Sequence, residues 1–268
     1  MSSAAAMTGD AGALDTARDP LIELDDLHKA FGEKQVLRGV SLSVHPGETL
    51  VILGASGSGK SVTLRHVVGL TRPDRGRVFV DGQEVQDLAE PQLRPVRRKV
   101  GFLFQSGALF DSMNVFDNVA FPLRQDRWEP DRVGERVVEV LGLVGLDATV
   151  GGQMPAALSG GMRKRVALGR AIAVKPQAIL YDEPTTGLDP VTANTINDLI
   201  LSMQAQLSVT SVVVTHDIVS AFKVSNRVAF LHDGRLRFVG TVEEARRSRD
   251  DVFARFIRGG IWEKGDGG

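Results

Sequence analysis

The sequence predicts an α/β fold whose core is a parallel β-sheet, and three observations support this prediction. Two continuous apolar runs, at 178–183 and 211–217, are typical of parallel strands that are covered on both faces. Between them, residues 192–207 repeat apolar positions at helical spacing. A glycine-rich loop at 54–61 follows an apolar run and precedes a helical pattern, so strands and helices alternate along the chain.

The other elements are predicted from short apolar runs and the turn residues between them. Predicted strands lie at 21–27, 36–44, 48–54, 76–83 and 99–105, and predicted helices lie at 60–70, 128–143 and 159–174. From about 106 to 175 the pattern is mostly helical. We therefore expect a helical subdomain that is inserted into the sheet.

Charge and residue composition exclude several classes of function. Lys and Arg number 32 and Asp and Glu number 33, and this net charge of −1 offers no electrostatic footprint for duplex nucleic acid. The chain has no cysteine, which excludes disulfides, zinc held by thiolates and thiol catalysis. With 268 residues, 43% of them hydrophobic, it can bury the core of one large domain or two closely packed ones.

The first 20 residues are mostly small or polar, and they lack a basic start followed by a sustained apolar run. We therefore expect a disordered tail over 1–20 and no secretory signal peptide. No stretch of the sequence approaches the roughly 20 apolar residues that a membrane-spanning helix needs. The chain is accordingly expected to stay in the cytosol.

Residues 54–61, GASGSGKS, match the phosphate-binding pattern G-x-x-x-x-G-K-[ST]. A glycine-rich surface turn is the alternative, but the preceding strand and the following helix favour a phosphate loop. There, the backbone N–H groups face phosphate oxygens, Lys60 reaches the β- and γ-phosphates, and the Ser61 hydroxyl ligates Mg²⁺. The loop residues predicted to bind ATP are Gly54, Ala55, Ser56, Gly57, Ser58, Gly59, Lys60 and Ser61.

Two further strands are predicted to end at the same edge of the sheet as this loop. Asp182 closes one apolar run and is expected to hold Mg²⁺ through a water. Alternation places Glu183 on the opposite side of that strand, where it can polarise an attacking water. His216 closes the other run and can hydrogen-bond the γ-phosphate and the water. Each residue alone has an ordinary structural explanation, but three strand ends converging on one edge favour catalysis.

A second candidate phosphate-binding segment lies much further along the chain. The stretch LSGGMRKR at 158–165 places Ser159, Gly160 and Gly161 at the start of a predicted helix. Exposed backbone N–H groups and a serine hydroxyl at a helix N-terminus suit an anion such as phosphate.

Taken together and in this order, the segments resemble the ATP-binding cassette family from about residue 21 to 241. The resemblance implies a P-loop NTPase with a RecA-like parallel-sheet core, an antiparallel β subdomain and the helical subdomain. It implies ATP and Mg²⁺ as cofactors, with Phe31 stacked on adenine and Val36 also binding ATP. The implied catalytic residues are Glu183, His216, Lys60 and Gln105, and the implied metal ligands are Ser61, Gln105 and Asp182.

The resemblance also implies a head-to-tail homodimer around two ATPs. Each ATP would lie between Lys60 of one subunit and the signature segment of the other, so that ATP joins the subunits and hydrolysis releases them. The signature residues are Leu158, Ser159, Gly160, Gly161 and Met162, and Asp189 belongs to the D-loop. Met162 stands where glutamine is commoner and Gly187 where alanine is commoner, and neither change removes a catalytic group.

A single cassette of this length fits a transporter subunit. Repair-type cassettes carry long coiled-coil insertions, and translation factors usually hold two cassettes in one chain. The alternatives are a soluble ATPase of DNA repair or translation and a transport subunit for a non-lipid substrate. An apolar cluster after Gln105 is either core of the helical subdomain or a groove for a short helix of a membrane subunit. Its members are Leu109, Phe110, Met113, Val115, Phe116, Val119 and Phe121.

The stretch 106–124, with LSGGM and YDEPTTGLDPVT, resembles the Mla/Mce-type ATPases that energise lipid transport across bacterial envelopes. This resemblance implies a transmembrane permease, an Mce-type lipid-binding protein and a small regulatory subunit as partners, and no nucleic acid. It also implies peripheral association with the cytoplasmic face of the bacterial inner membrane.

The last segment, 242–268, is predicted to be a helical extension. Val252, Phe253, Phe256 and Ile257 share one helical face and are followed by Trp262. We expect this face either to pack on its own domain or to dock on the dimer mate or a regulatory subunit.

Overall fold

The computed structural model describes residues 19–262, which form two β-sheets and flanking helices. The strands are β1 (Ile22–Phe31), β2 (Lys34–Val44), β3 (Thr49–Leu53), β4 (Arg75–Val80), β5 (Gln83–Glu84), β6 (Val100–Leu103), β7 (Ala178–Asp182), β8 (Thr210–Thr215), β9 (Arg227–His232) and β10 (Arg235–Thr241). The helices are α1 (Lys60–Val67), α2 (Glu90–Lys99), α3 (Val115–Gln125), α4 (Pro130–Leu143), α5 (Gly160–Ile172), α6 (Pro190–Leu207), α7 (Ile218–Val224), α8 (Val242–Arg246) and α9 (Asp251–Trp262). The tail predicted over 1–20 lies outside the described residues, apart from its last two.

The central sheet has six strands in the order β10-β9-β3-β8-β7-β6, and all but the edge strand β10 run parallel. Its register pairs Ile52 of β3 with Val214 of β8. Along β3, Leu50 and Ile52 enter one apolar core, whereas Val51 and Leu53 enter the core on the other face. Burial on both faces explains the continuous apolar runs in the sequence. The predicted fold class is confirmed.

The smaller sheet is antiparallel, with the order β2-β1-β4-β5. Its apolar side, including Ile22 and Leu24 of β1 and Val78 of β4, shares a core with one face of the central sheet and with Leu64 of α1. This packing holds Phe31, at the end of β1, close to the loop that follows β3.

Helices α3, α4 and α5 lie in the chain between the parallel strands β6 and β7. Gly169 of α5 permits the close approach of α4, since a Cβ there would lie 3.1 Å from Val140 Cγ1. The C-terminus of α5 is capped by Arg136 of α4, which is buried and donates to the carbonyls of Ile172 and Ala173 at 2.9 Å each. These contacts position α5 firmly within the helical subdomain.

The C-terminal helix α9 packs on its own chain. Phe253 is fully buried, and its ring stacks on that of Phe230 with centroids 4.6 Å apart and lies 4.9 Å from that of Phe238. Ile257, one turn further along, is also buried. Of the two predicted alternatives, the structure shows packing on the same domain for Phe253 and Ile257. The side chain of Trp262 lies outside the described part of the structure.

The structure adds elements that the sequence patterns do not predict, including α2 between β5 and β6, α7 after β8, and the β9–β10 hairpin. The helix α2 buries only Leu93 and Val96 and contains Pro91 and Pro95, so it lacks a strong helical pattern. Between residues 19 and 262, we find no helix with the length and apolar character needed to cross a bilayer.

Candidate active site

A cleft of about 500 Å³ opens where β3, β7 and β8 end. The three strands are neighbours in the parallel sheet, so their carboxyl ends meet at one edge, as predicted. Its lining residues are Phe31, Lys34, Val36, Ser56, Gly57, Gly59, Lys60, Ser61, Val62, Gln105, Glu183, Thr186 and His216.

The phosphate loop between β3 and α1 adopts a path that needs glycine. Gly59 has a φ of 109°, a region that favours glycine, and a Cβ there would lie 2.8 Å from Leu37 Cδ2. A Cβ on Gly54 would lie 2.4 Å from the carbonyl oxygen of Leu231. Both glycines are therefore required by close packing beneath the loop.

Lys60 is buried at the base of the loop and has three oxygen partners. Its Nζ donates to the carbonyls of Gly54 at 2.8 Å and Ala55 at 3.1 Å. It also lies 3.3 Å from Glu183 Oε1. The Lys60 amine is thus bound to the backbone of the loop and paired with the carboxylate of Glu183, which follows β7.

Ser61 and Asp182 form a hydroxyl–carboxylate pair beside Lys60. Ser61 Oγ donates to Asp182 Oδ1 at 2.6 Å, although the two residues lie on different elements. Burial raises the pKa of the Asp182 carboxyl, and the hydrogen bond from Ser61 opposes that rise. A hydroxyl and a carboxylate are hard oxygen donors of the kind that Mg²⁺ prefers, so this pair fits the predicted ion.

Glu183 follows the end of β7 and departs from the alternation expected of an extended strand. Its φ of 48° turns the backbone, and its carboxylate lies at the phosphate loop together with that of Asp182. Glu183 Oε2 accepts from Thr186 Oγ1 at 3.0 Å and lies 2.9 Å from His216 Nδ1. The Glu183 carboxylate is therefore oriented by three side chains, of which Lys60 is the third.

The cleft is also lined by His216, Gln105 and Phe31. The His216 side chain is 52% exposed, so one part of its ring contacts Glu183 while the rest faces solvent. Phe31 is likewise 52% exposed, which leaves a ring face free for a planar ligand. Gln105 lies just after β6, at the same edge of the sheet.

The signature segment is placed elsewhere. Ser159 is the N-cap of α5, and its hydroxyl accepts from the backbone N–H of Met162 at 3.2 Å. Among the described residues, neither the signature residues 158–162 nor Asp189 line the cleft. Asp189 caps α6, where its carboxylate accepts from the N–H groups of Val191 and Thr192. The two candidate phosphate-binding segments of one chain are thus not brought together.

Four residues at or near the cleft escape prediction from the sequence. Lys34 and Val62 line it beside predicted residues, and Thr186 contacts Glu183. Lys164 of α5 donates to the backbone of the segment 183–186. Thr186 could have been singled out because it begins the D-loop sequence TGLD at 186–189. Nothing in the sequence around Lys164 indicates its distant partners.

Comparison with known proteins identifies the family. The sequence profile of the ABC transporter family matches residues 37–186. The intermembrane phospholipid transport system ATP-binding protein MlaF of Haemophilus influenzae is 37% identical over 243 residues, which cover 89% of this chain and 90% of MlaF. The methionine import ATP-binding protein MetN of Caulobacter vibrioides is 42% identical over 241 residues, covering 89% of this chain and 72% of MetN.

Another relative is longer than this chain. The probable ribonucleotide transport ATP-binding protein mkl of Mycobacterium tuberculosis is 41% identical over 239 residues. The match covers 89% of this chain but 66% of the relative, so the chain spans just under two thirds of that protein's length.

A solved structure supports the same assignment. The dimeric post-hydrolysis state of the ATP-binding cassette MJ0796, bound to ADP and Pi, superposes with a TM-score of 0.77 at 34% identity. The superposition covers 82% of this chain and 98% of that cassette. The chain therefore belongs to the ABC transporter family, and its cassette is that of an ABC ATPase.

Proposed function

We propose that this chain is the ATP-hydrolysing subunit of a membrane transporter, working as a homodimer around two ATPs and driving the transport of lipid. The observation that carries the hydrolytic part is the convergence of Lys60, Ser61, Asp182, Glu183 and His216 at one edge of the sheet. These residues provide the charges and oxygen donors that phosphoryl transfer to water requires.

ATP binding changes the partners of Lys60. In this structure the Lys60 amine pairs with Glu183 at 3.3 Å. A γ-phosphate in the loop would take over this cation, because a phosphate carries more charge than the carboxylate. Glu183 is then free to accept a proton from an attacking water, while His216 holds the Glu183 carboxylate from its other oxygen.

Ser61, Asp182 and Gln105 are the residues proposed to hold Mg²⁺. Bound there, the ion would neutralise negative charge on the β- and γ-phosphates. The Ser61 hydroxyl, which donates to Asp182 Oδ1, is positioned to turn an oxygen lone pair toward such an ion. Phe31 and Val36 are proposed to bind the base, and the loop residues 54–61 the phosphates.

The second nucleotide contact is proposed to come from a second copy of the chain. Ser159 is exposed at the N-terminus of α5, a helix of 13 residues. Such a terminus attracts anions, yet it lies away from the cleft of its own chain. A partner subunit can present it to the γ-phosphate, with Asp189 nearby, and the solved MJ0796 cassette is itself a dimer.

A groove of about 510 Å³ is proposed as the binding site for the transmembrane permease. Phe110 and Leu70 line it and are 39% and 50% exposed, and Phe102, Phe104 and Phe121 line it as well. The apolar cluster predicted after Gln105 is thus divided. Phe110 and Phe121 face the groove, Val115 and Val119 are core residues, and Leu109 and Phe116 pack against that core.

Lipid as the cargo is supported by MlaF, whose match extends over 90% of its length, and by the Mla/Mce-type motifs. An Mce-type lipid-binding protein and a small regulatory subunit are proposed as further partners, at the cytoplasmic face of the bacterial inner membrane. MetN, at 42% identity, favours a second candidate, methionine import. Deleting the gene separates the two: loss of lipid transport sensitises the envelope to detergent, whereas loss of methionine import impairs growth on limiting methionine.

The permease contact is tested by Phe110→Asp. The hydrogen bonds of Phe110 to Asn118 use only the Phe110 backbone, so the loop should survive the change. The change removes the exposed aromatic ring and places a carboxylate in a groove that also contains Arg97 and Arg170. Loss of an aromatic anchor costs about 2 kcal/mol or more, which substantially weakens a micromolar contact. We expect the variant to bind ATP normally and to sediment with membranes far less than wild type.

Val138→Asp is the matched control, because Val138 is a 54% exposed apolar residue on α4 that does not line the groove. It should sediment like wild type. Equal sedimentation of Phe110→Asp and wild type would contradict the groove assignment. Release of both variants would show that added negative charge, rather than the groove, decides membrane association.

A further inference from the structure

Lys164 lies on α5 and directs its amine at the loop that follows β7. Its Nζ donates to the carbonyl oxygens of Glu183 at 3.2 Å, Pro184 at 2.6 Å and Thr186 at 3.1 Å. The residue is 6% exposed. An ammonium group has three N–H donors, so Lys164 commits all of them to one short backbone segment.

Burying this cation costs free energy unless hydrogen bonds replace the water that it loses. Burial lowers the pKa of the Lys164 amine to about 8, and the Glu183 carboxylate opposes that change. Without Lys164, the carbonyls of Pro184 and Thr186 would lose this donor, and the carbonyl of Glu183 would keep only the backbone N–H of Thr186, at 3.3 Å. The three hydrogen bonds therefore constrain the backbone of 183–186. The cleft already contains a lysine, Lys60, so a catalytic charge does not explain the presence of Lys164.

The constrained segment includes the unusual backbone of Glu183. Its φ of 48° lies in the left-handed region, which non-glycine residues seldom occupy. The Lys164 amine binds the carbonyl of Glu183 itself and those of Pro184 and Thr186, which follow it. Lys164 thus contacts the segment that begins at this unusual backbone conformation.

The same helix carries the signature segment at its N-terminus, where it abuts α6. A Cβ on Gly161 would lie 2.4 Å from Thr192 Cγ2, so the first turns of α5 and α6 are in close contact. Asp189, which caps α6, lies shortly after the loop that Lys164 holds. The start of α5, the Glu183 loop and the start of α6 therefore form one connected unit.

We propose that Lys164 is a positioning residue for hydrolysis: it fixes the Glu183 carboxylate by fastening its loop to the signature helix. This rests on the proposed function, in which Glu183 activates water. The position of Glu183 then depends on α5, the helix whose N-terminus meets the partner's ATP. Among the described residues, Lys164 is not one of those that line the cleft, and it acts through the backbone of 183–186.

Lys164→Met tests this by removing the donors while keeping the length of the side chain. A small displacement of a catalytic group lowers turnover strongly, so we expect kcat to fall by about 10-fold or more. KM and the Kd for ATP should stay within about twofold, because the phosphate loop is untouched. Lys164→Arg, which keeps the charge and several donors, should recover part of the lost kcat.

A double-mutant cycle with Glu183→Gln identifies the route of the effect. If Lys164 acts through the Glu183 carboxylate, Lys164→Met should lower the single-turnover rate of the Glu183→Gln enzyme by less than about twofold. Arg136→Met is the matched control, since Arg136 is also buried and also donates to backbone carbonyls, but at the other end of α5. It should lower stability and leave kcat of the folded enzyme within about twofold of wild type.

The proposal is overturned if Lys164→Met keeps wild-type kcat, if it weakens ATP binding as much as turnover, or if it slows both backgrounds equally. Should the Met variant fail to fold, Lys164→Gln enters the same cycle. Its shorter, uncharged amide has two donors and cannot replace the three of the ammonium, so kcat should still fall. A wild-type chain without ATPase activity would overturn the proposed function as well. If wild type is active and Lys164→Met, or Lys164→Gln in its place, is equally active, the positioning role alone is overturned.

Discussion

ATP hydrolysis by this protein is expected to depend on the interactions among a few buried charged side chains in the cleft. Lys60 and Glu183 are both almost fully buried and lie 3.3 Å apart, and Ser61 and Asp182 sit beside them. Pairing compensates for the unfavourable burial of each charge while the loop holds no phosphate. In the proposed mechanism, Glu183 becomes available as a base when a phosphate takes over Lys60.

Glu183→Gln removes the proposed base and keeps the shape of the side chain. We expect turnover to fall by several orders of magnitude, a loss of about 4–6 kcal/mol in transition-state stabilisation, with ATP binding intact. The variant should accumulate as an ATP-bound dimer, which light scattering can detect. Lys60→Ala should instead weaken nucleotide binding itself. Turnover at the wild-type rate in Glu183→Gln would remove Glu183 from the mechanism.

The buried histidine of α1, His66, is expected to make stability depend on pH. It is 1% exposed, its Nδ1 lies 2.7 Å from the carbonyl of Val62, and its Nε2 is buried with no partner among the described residues. Burial lowers the pKa of His66 below 6.5; Lys29 also lowers it, while the Val62 carbonyl and Asp74 oppose the change. Below about pH 6.5 the unfolded chain binds a proton more readily than the folded chain, so stability falls as pH falls.

We expect the urea midpoint of wild type to drop between pH 7.5 and 5.5, by at most about 1.4 kcal/mol of stability per pH unit from this group. His66→Gln should flatten that drop. His232→Gln, at a more exposed histidine, should keep the wild-type slope. An unchanged slope in His66→Gln would show that the buried imidazole does not control acid stability.

At the residue scale, sequence patterns identify the groups whose chemistry requires fixed spacing. Lys60 and Ser61 are predicted because the loop motif joins them, and Asp182 and Glu183 because a buried strand ends there. Lys164 is not predictable in this way. Its partners lie about 20 residues away in sequence and meet it only through the packing of α5 on the loop after β7.

At the scale of elements, prediction succeeds where apolar periodicity is strong. The parallel strands β3, β6, β7 and β8 and the helix α6 follow from continuous or helical apolar patterns. In contrast, α2 is missed because it exposes most of its length and contains Pro95. The β9–β10 hairpin was also missed, although the sequence contains a pattern that predicts it. Its turn, Asp233-Gly234, is flanked by apolar runs, and both residues have positive φ.

Phe253→Ala tests the packing of α9 on its own domain. The ring is fully buried between Phe230 and Phe238, so truncation should cost about 3 kcal/mol, measured by urea denaturation. Val219→Ala, at a residue 52% exposed, should change stability by less than about 0.5 kcal/mol. A loss below about 1 kcal/mol for Phe253→Ala, or a loss that depends on protein concentration, would contradict intrachain packing.

At the scale of the whole molecule, the structure separates the two segments that are proposed to bind phosphate. The loop 54–61 lies in the cleft, while the N-terminus of α5 lies elsewhere on the surface. In the proposed homodimer, each chain therefore contributes half of each of two sites. Sequence alone identifies both segments, but their separation in one folded chain is a property of the tertiary structure.

Mixed dimers of Ser159→Arg and Lys60→Ala test this central claim most directly. In a heterodimer, one site combines the intact Lys60 of one subunit with the intact Ser159 of the other, and both lesions fall on the second site. We predict ATPase activity in the mixture above that of either variant alone. A mixture of Lys60→Ala with Glu183→Gln should show no gain, because each composite site then carries one lesion. If the first mixture stays at the average of its two components, the composite sites proposed here do not exist as described.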